Sequence, residues 1–314
     1  MAVWTSSSMA RVLGWHRPLM LFVAAMAVLV PVTIIGLVLD DRVLVGVPIW
    51  LKPLKFALSF MLYGTALAWM LSLLQSGRRW AARMGTVIVA AGVVEMAIIV
   101  GQVLRGKQSH FNGQTPLDAS LFAIMGMTIV VLWAATLVIA ILLLREELTD
   151  RPTALAIRLG LFVALGGMAV GFLMVGPTAE QRAARPVTML GAHSVGVPDG
   201  GPGLPLTGWS TAGGDLRIPH FVGMHALQLL PLLAMGLAAL APRFTRLREE
   251  RTRLRLVAVA AASYALLVIV LLWQALRGQP LVHPDPVTLG GLATVAAAAI
   301  GGAGAVLSRH PAPT

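Results

Sequence analysis

The stretch GWSTAGGDLRIPHFVGMHALQLLPLLA, at 208–234, decides the fold class of this chain. A glycine-rich lead-in opens into an apolar run long enough to cross the hydrocarbon core of a membrane. The run carries Asp215, Arg217, His220 and His225. Ionisable groups are costly inside a bilayer and usually mark functional positions. The stretch therefore predicts a transmembrane helix that contributes to a functional site.

The whole chain has the composition of a polytopic membrane protein. Of its 314 residues, 57 % are hydrophobic and 12 % are charged, far from a soluble domain. The absence of cysteine excludes disulfides, thiolate metal sites and cysteine nucleophiles. The net charge of +11 resides mostly on arginines that flank apolar segments, which indicates orientation in a lipid bilayer and not binding to nucleic acid.

Hydropathy predicts an all-α bundle of about eight transmembrane helices. Each apolar segment has about the 20 residues that cross the hydrocarbon core. The first segment ends in LDDR without a small-residue cleavage site, so we expect an uncleaved helix. The predicted spans are 18–38, 50–74, 84–104, 119–144, 153–175, 217–241, 254–276 and 287–307.

The distribution of basic residues predicts the orientation. One side of the membrane receives 15 of the 24 lysines and arginines, among them Arg11 and Arg309 near the termini. The positive-inside rule then places both termini in the cytoplasm. The arginine-rich composition is typical of a bacterial genome rich in G and C, so we expect a bacterial cytoplasmic (inner) membrane. One long outer loop, 177–214, is expected to be either disordered or functional.

Two pairs of motifs indicate an internal repeat. GQVLRGKQSH at 101–110 resembles WQALRGQPLVH at 273–283, and LKPLKF at 51–56 resembles LRIPHF at 216–221. The two similarities recur in the same order on corresponding spans, which favours a parallel duplication of a four-helix unit, 1–150 and 151–314. The alternative is that helix ends at a membrane interface attract Arg, Gly and aromatic residues independently of ancestry.

Two ionisable residues lie deep in predicted spans. Glu95 is ten residues before Arg105, roughly 15 Å below the outer boundary. His225 is eight residues after Arg217, roughly 12 Å below it. We therefore expect Glu95 and His225 to face each other or a shared ligand, with proton coupling as their role. The alternative is a structural hydrogen bond between two helices.

Other polar side chains extend this site. Gln102 and Arg105 fall near the same helix face as Glu95, and SHFN at 109–112 places His110 and Asn112 at the membrane surface. Gln228 is a neighbour of His225 on its helix, whereas His220 points about 140° away from His225. Asp215 is predicted to cap its helix after the flexible Gly213 and Gly214.

The cations near the outer helix ends predict recognition of an anion. Lys52, Lys55, Arg105, Lys107 and Arg217 would attract a carboxylate, a phosphate or a lipid headgroup. The alternative is that these long side chains reach for headgroups from helix ends, which is the interpretation we prefer for Lys107 alone. No phosphate-binding glycine loop is present, which argues against an ATP-driven pump.

The sequence thus predicts binding or secondary transport of a small anionic or amphipathic ligand. A first alternative is a redox protein that binds haem or a divalent metal through His110, His220 and His225, although HExxH and HxxxH spacings are absent. A second is an intramembrane enzyme that acts on a lipid-like substrate with Glu95 or His225 as general base. The candidate ligand-binding residues are Lys52, Lys55, Glu95, Gln102, Arg105, His110, Asn112, Asp215, Arg217, His220, His225 and Gln228.

Overall fold

The computed structural model describes residues 14–184 and 187–308; Arg11 and Arg309, which entered the prediction of orientation, lie outside these ranges. Eight helices in the described ranges are long and apolar enough to cross a membrane. The all-α fold and the eight predicted spans are therefore confirmed. The helices are α1 (Arg17–Leu39), α2 (Leu51–Ser72), α3 (Arg78–Leu104), α4 (Pro116–Arg145), α5 (Arg151–Val170), α7 (Arg217–Leu240), α9 (Glu250–Leu276) and α10 (Pro286–Ser308), with the short α6 (Ala179–Ala183) and α8 (Thr245–Arg248) between them.

Local signals in the sequence explain several helix starts. The Nδ1 atom of His16 accepts a hydrogen bond from the backbone N–H of Leu19, which caps α1. Thr115 caps α4 and Asp150 caps α5 in the same way, each followed by a proline in the first turn. Side-chain acceptors satisfy N–H groups that have no partner within the helix, and proline has no N–H to satisfy there.

The chain divides into two compact units. Unit 1 comprises the described parts of Met1–Glu146, Met174–Ala192 and Asp199–Gly208. Unit 2 comprises the described parts of Glu147–Leu173, His193–Pro198 and Trp209–Thr314. Each unit contains four of the long helices. A duplication with its boundary at residue 150 stays a prediction.

Unit 1 is built on two tightly packed helix pairs. Helix α1 packs along α2, α3 packs along α4, and α3 also contacts α1 and α2. The Phe22 ring of α1 meets the Phe60 ring of α2 edge to face, with 5.4 Å between the ring centroids. Phe22 also lies against Gly92 of α3, where a Cβ atom would be 2.8 Å from the ring. A small residue on α3 therefore lets an aromatic side chain fill the space between the helices.

A buried carboxylate closes the turn between α2 and α3. Glu146, just after α4, accepts hydrogen bonds from the hydroxyl and N–H of Ser76 and from the N–H of Gln75. The Ser76 hydroxyl, followed by these N–H groups, lowers the pKa of Glu146 below its ordinary value of 4.5. Glu146 therefore ties the end of α4 to this turn through its ionised form.

We expect Glu146→Gln to make the protein less heat-stable at neutral pH. Because the pKa of Glu146 is lower in the folded protein, its stabilisation is complete above pH 4.5 and is lost as the pH falls through the folded value. The difference in Tm between wild type and Glu146→Gln should therefore narrow as the pH falls below 4.5. Exposed Glu147 gives the control variant, Glu147→Gln. A difference that stays constant with pH would contradict the prediction.

Unit 2 is held by a close crossing of α5 and α7. A Cβ atom at Gly167 would lie 2.5 Å from the carbonyl carbon of Gly223, and one at Gly160 would lie 2.8 Å from the Ala226 carbonyl oxygen. The two backbones touch because small residues face each other, a packing mode common between membrane helices. Helix α9 contacts both α5 and α7, and α10 packs on α9.

The start of α7 differs from the prediction. Asp215 is not the N-cap, because Leu216 occupies that position without a capping side chain. Gly214 and Asp215 form strand β4 (Gly214–Asp215), which pairs antiparallel with β3 (Ser194–Val195). Gly214 is required for close packing and not for flexibility, since a Cβ atom there would collide with the carbonyl oxygen of Ala275.

The repeated Gln-x-Leu-Arg-Gly motif forms the same helix end in both units. In unit 1 the Gln102 amide donates to the Gln108 carbonyl, and in unit 2 the Gln274 amide donates to the Pro280 carbonyl, each six residues ahead. The glycine after each arginine has positive φ, 67° at Gly106 and 72° at Gly278. Glycine adopts this conformation without steric cost and so ends both helices.

The loop predicted at 177–214 contains regular elements. It includes α6, strand β3 and the first residue of β4. Met189 forms a bridge with Asn112, flanked by hydrogen bonds from Gly113 to Thr188 and from Leu190 to Phe111. An additional hairpin, β1 (Val43–Leu44) with β2 (Val47–Pro48), precedes α2.

Candidate functional site

Glu95 lies in the middle of α3 and is completely buried. Thr128 of α4 donates a hydrogen bond to its Oε2 atom at 3.3 Å. Its Oε1 atom has no hydrogen bond to any described residue and lies 3.5 Å from Nε2 of His110. A buried carboxylate oxygen without a hydrogen bond is uncommon in folded proteins. The surroundings of Glu95 therefore supply only part of the hydrogen bonds that its carboxylate can accept.

His110 connects this carboxylate to the surface of unit 1. It lies in the loop after α3, and 24 % of its side chain is exposed. Its imidazole packs against the rings of Phe56, Phe111 and Phe122, with centroid distances of 5.7, 6.1 and 6.3 Å. Phe111 has a positive φ of 59°, which is uncommon for a residue with a side chain. The imidazole of His110 thus lies next to a buried carboxylate and is also partly exposed at the surface of the unit.

Lys52 supplies a positive charge to the same region. Its Nζ atom lies 5.9 Å from the centre of the Phe56 ring, which packs against the His110 imidazole. Lys55, one turn further along α2, instead donates to the carbonyl oxygen of Thr207 at 2.7 Å. Lys52, Glu95, His110 and Thr128 together form what we call the Glu95 cluster.

The Glu95 cluster has the components of a proton-binding site. A carboxyl group and an imidazole both exchange protons near neutral pH when their surroundings favour it. Their separation of 3.5 Å exceeds a normal hydrogen-bond length, so the pair does not serve as a strong link between elements.

Arg105 is neutralised at the end of α3. Its Nη1 atom lies 2.8 Å from Oδ1 of Asp118, which is fully buried and also accepts from the Gln102 amide at 2.9 Å. The Thr115 hydroxyl donates to the other oxygen of Asp118 at 2.7 Å. Arg105 and Gln102 therefore join the start of α4 to the end of α3. Their assignment to a ligand site stays a prediction.

Asn112 holds the loop that carries His110. Its amide donates to the Gln108 carbonyl at 2.9 Å, and its side-chain oxygen accepts from the N–H of Gln114 at 3.0 Å. These bonds fix the backbone on both sides of His110. Asn112 thus contributes to the Glu95 cluster by positioning the loop.

Arg217 in unit 2 is likewise held by a buried carboxylate. Its guanidinium makes a two-pronged contact with Asp215, in which Nη2 lies 2.6 Å from Oδ2. The same Oδ2 atom accepts from the N–H of Ser210 at 2.8 Å, and Oδ1 accepts from the N–H of Arg217 at 3.0 Å. This pair fixes the chain that enters α7.

The remaining candidates of unit 2 are on α7. Nδ1 of His220 lies 2.8 Å from the Gly167 carbonyl oxygen, within hydrogen-bond distance. His225 packs on Phe221 with 6.3 Å between ring centroids, and Oε1 of Gln228 is buried without a hydrogen bond. Glu95 and His225 belong to different units. Their predicted pairing stays a prediction, whereas unit 1 itself brings Glu95 to His110.

The structure adds no metal centre to this picture. Among the described residues, no three or more His, Asp or Glu side chains are grouped so that they could hold a metal ion. Haem or metal binding through His110, His220 and His225 stays a prediction.

Thr128 is the member of the Glu95 cluster that the sequence analysis missed. It lies ten residues after Asp118 on α4, as Glu95 lies ten residues before Arg105 on α3. Both are therefore roughly 15 Å from the paired helix ends. If the pairing of Arg105 with Asp118 had been predicted from the sequence, it would have placed Glu95 and Thr128 at the same height along the two neighbouring helices.

Comparison of this chain with protein-family models, with curated proteins and with solved structures found no match, so the assignment of a function depends on the site itself.

Proposed function

We propose that this multi-pass membrane protein binds a small anionic or amphipathic ligand in a proton-linked manner, as a secondary transporter does. The Glu95–His110 pair is its proton-binding site. The observation that carries the proposal is the Oε1 atom of Glu95, which is buried, lacks a hydrogen bond within the described ranges and lies 3.5 Å from a partly exposed imidazole. Ionisable groups inside membrane proteins commonly serve as proton relays.

The geometry favours this role over a purely structural one. A carboxylate that served only to join helices would be expected to have both oxygens hydrogen-bonded, as those of Asp118 and Asp215 are. From the part of the chain that the structure describes, Glu95 receives only the Thr128 hydroxyl, at 3.3 Å, and that hydroxyl also donates to the Met125 carbonyl at 2.9 Å. The Oε1 atom of Glu95 is therefore available to bind or release a proton.

Infrared titration of the protein in lipid nanodiscs tests the proton site. We expect the carbonyl band of a protonated carboxylic acid to appear as the pH is lowered, and to be missing in Glu95→Gln. Glu146→Gln, which removes a different buried carboxylate, is the matched control and should keep the band. His110→Gln should keep the band but slow its exchange in deuterated water, because the route through the imidazole is lost. If the Glu95→Gln spectrum equals that of wild type, the proposal is wrong.

Transport is tested in proteoliposomes with an imposed pH gradient. Electrogenic or pH-dependent uptake of members of a panel of small carboxylates and phosphates is expected for wild type and not for Glu95→Gln. Metal analysis and an absorption spectrum of the same preparation test the haem and metal alternative. No contact of the described residues favours that alternative or a lipid-modifying enzyme over proton-linked binding.

A further inference from the structure

We propose that the ligand is a carboxylate with an apolar portion, that Lys52 binds its charged group, and that each anion binds together with one proton on Glu95. This inference depends on the proposed function and specifies its ligand and its coupling.

The charge balance of the cluster links the two binding events. Lys52 lies near Phe56, whose ring packs on the imidazole of His110 beside Glu95, so Lys52 and ionised Glu95 together leave this region without net charge. Thr128 of α4 contributes only a hydroxyl. An added anion would leave an uncompensated negative charge in a region where charges are poorly solvated. Protonation of Glu95 removes that charge. The anion and the proton therefore each increase the affinity for the other.

Three other cations near this end of unit 1 already have partners. Arg42, which lies close to Gly106, pairs with Asp40. Arg105 and Asp118 neutralise each other, and Lys55 is directed to the Thr207 carbonyl. Helix α1 presents the apolar Phe22 to α3 at Gly92. His110 is the titratable neighbour of Glu95 from the loop, and its exposed edge gives the proton a route to the carboxyl group.

The aromatic rings indicate what the anion carries. Phe56 lies beside Lys52, and Phe56, Phe111 and Phe122 surround His110. Aromatic side chains bury apolar ligand surface, and a single lysine recognises one compact anionic group. A carboxylate on an aromatic ring or a short alkyl chain matches this combination better than a strongly hydrated inorganic anion.

Calorimetry of wild type in nanodiscs tests the inference with benzoate and hexanoate as probes, and benzamide and inorganic phosphate as comparisons. Titrations in two buffers of different ionisation enthalpy give the number of protons taken up, and we expect about one per anion bound. Glu95→Gln imitates the protonated acid, so it should bind benzoate without proton uptake. Lys52→Gln should weaken benzoate binding by about tenfold or more, because a charge-assisted contact is lost.

Lys55→Gln is the matched control, since it removes a lysine one turn away on the same helix. Binding of benzoate without proton uptake, equal losses in Lys52→Gln and Lys55→Gln, or binding of neither carboxylate by wild type would each overturn the inference. The infrared band of Glu95 in Lys52→Gln separates the two proposals. If that band persists while anion linkage fails, only this inference is wrong; if the band is missing in wild type, the proposed proton site is wrong.

Discussion

Asp215→Ala is expected to lower the free energy of unfolding by about 3–5 kcal/mol, the usual loss when one partner of a buried ion pair is removed. The carboxylate of Asp215 is completely buried, and 21 % of the Arg217 side chain is exposed. Without Asp215, the guanidinium loses its two-pronged contact with the carboxylate, and the N–H of Ser210 loses its acceptor. The N–H of Ser210 is buried, so water does not readily replace the carboxylate there.

The chain contains a matched control for this change. Asp40 and Arg42 form the same two-pronged contact at the same sequence spacing, with Nη2 of Arg42 2.7 Å from Oδ2 of Asp40. The Arg42 side chain is 46 % exposed, so water can replace the carboxylate at the guanidinium, while the indole N–H of Trp50, 2.7 Å from Oδ2, also loses its acceptor. Asp40→Ala should therefore cost much less than Asp215→Ala, since exposed ion pairs contribute little. Unfolding of both variants in mixed detergent micelles measures the difference, and equal losses would show that burial is not the cause.

Gly167→Val is expected to destabilise unit 2 by about 1–3 kcal/mol, or more where the helices cannot separate. Even the first atom of the new side chain would lie 2.5 Å from the backbone of Gly223. To relieve this overlap, α5 and α7 must move apart, and the contact between His220 and the Gly167 carbonyl oxygen is then lost.

Gly166→Val is the control at the adjacent position. Outside its own stretch of helix, no atom of the described residues lies within 4 Å of the place where its Cβ would stand, and the residue is exposed. Both variants exchange glycine for the same residue in the same helix, so the effect on helix propensity is similar. Only Gly167→Val should lower the stability markedly in the same micelle titration. Equal losses would indicate that helix propensity, and not the contact with α7, sets the cost.

The sequence by itself determined the helices and their approximate ends. Hydrophobicity is a local property that adds up along a segment, and capping residues such as Thr115 and Asp150 act within one turn. The position of Glu95 inside its helix, ten residues before Arg105, also followed from the sequence. For these features no knowledge of neighbouring helices was needed.

Only the tertiary structure decided which side chains meet. The hydrogen-bond partners of Asp118 and Asp215 depend on how each helix is rotated and on where the chain turns. His110 reaches Glu95 because the loop after α3 folds back at Gly106 and Phe111, both with positive φ. A side chain at a predicted depth can point in any direction around its helix, and the packing of small residues such as Gly92 and Gly167 selects one of them.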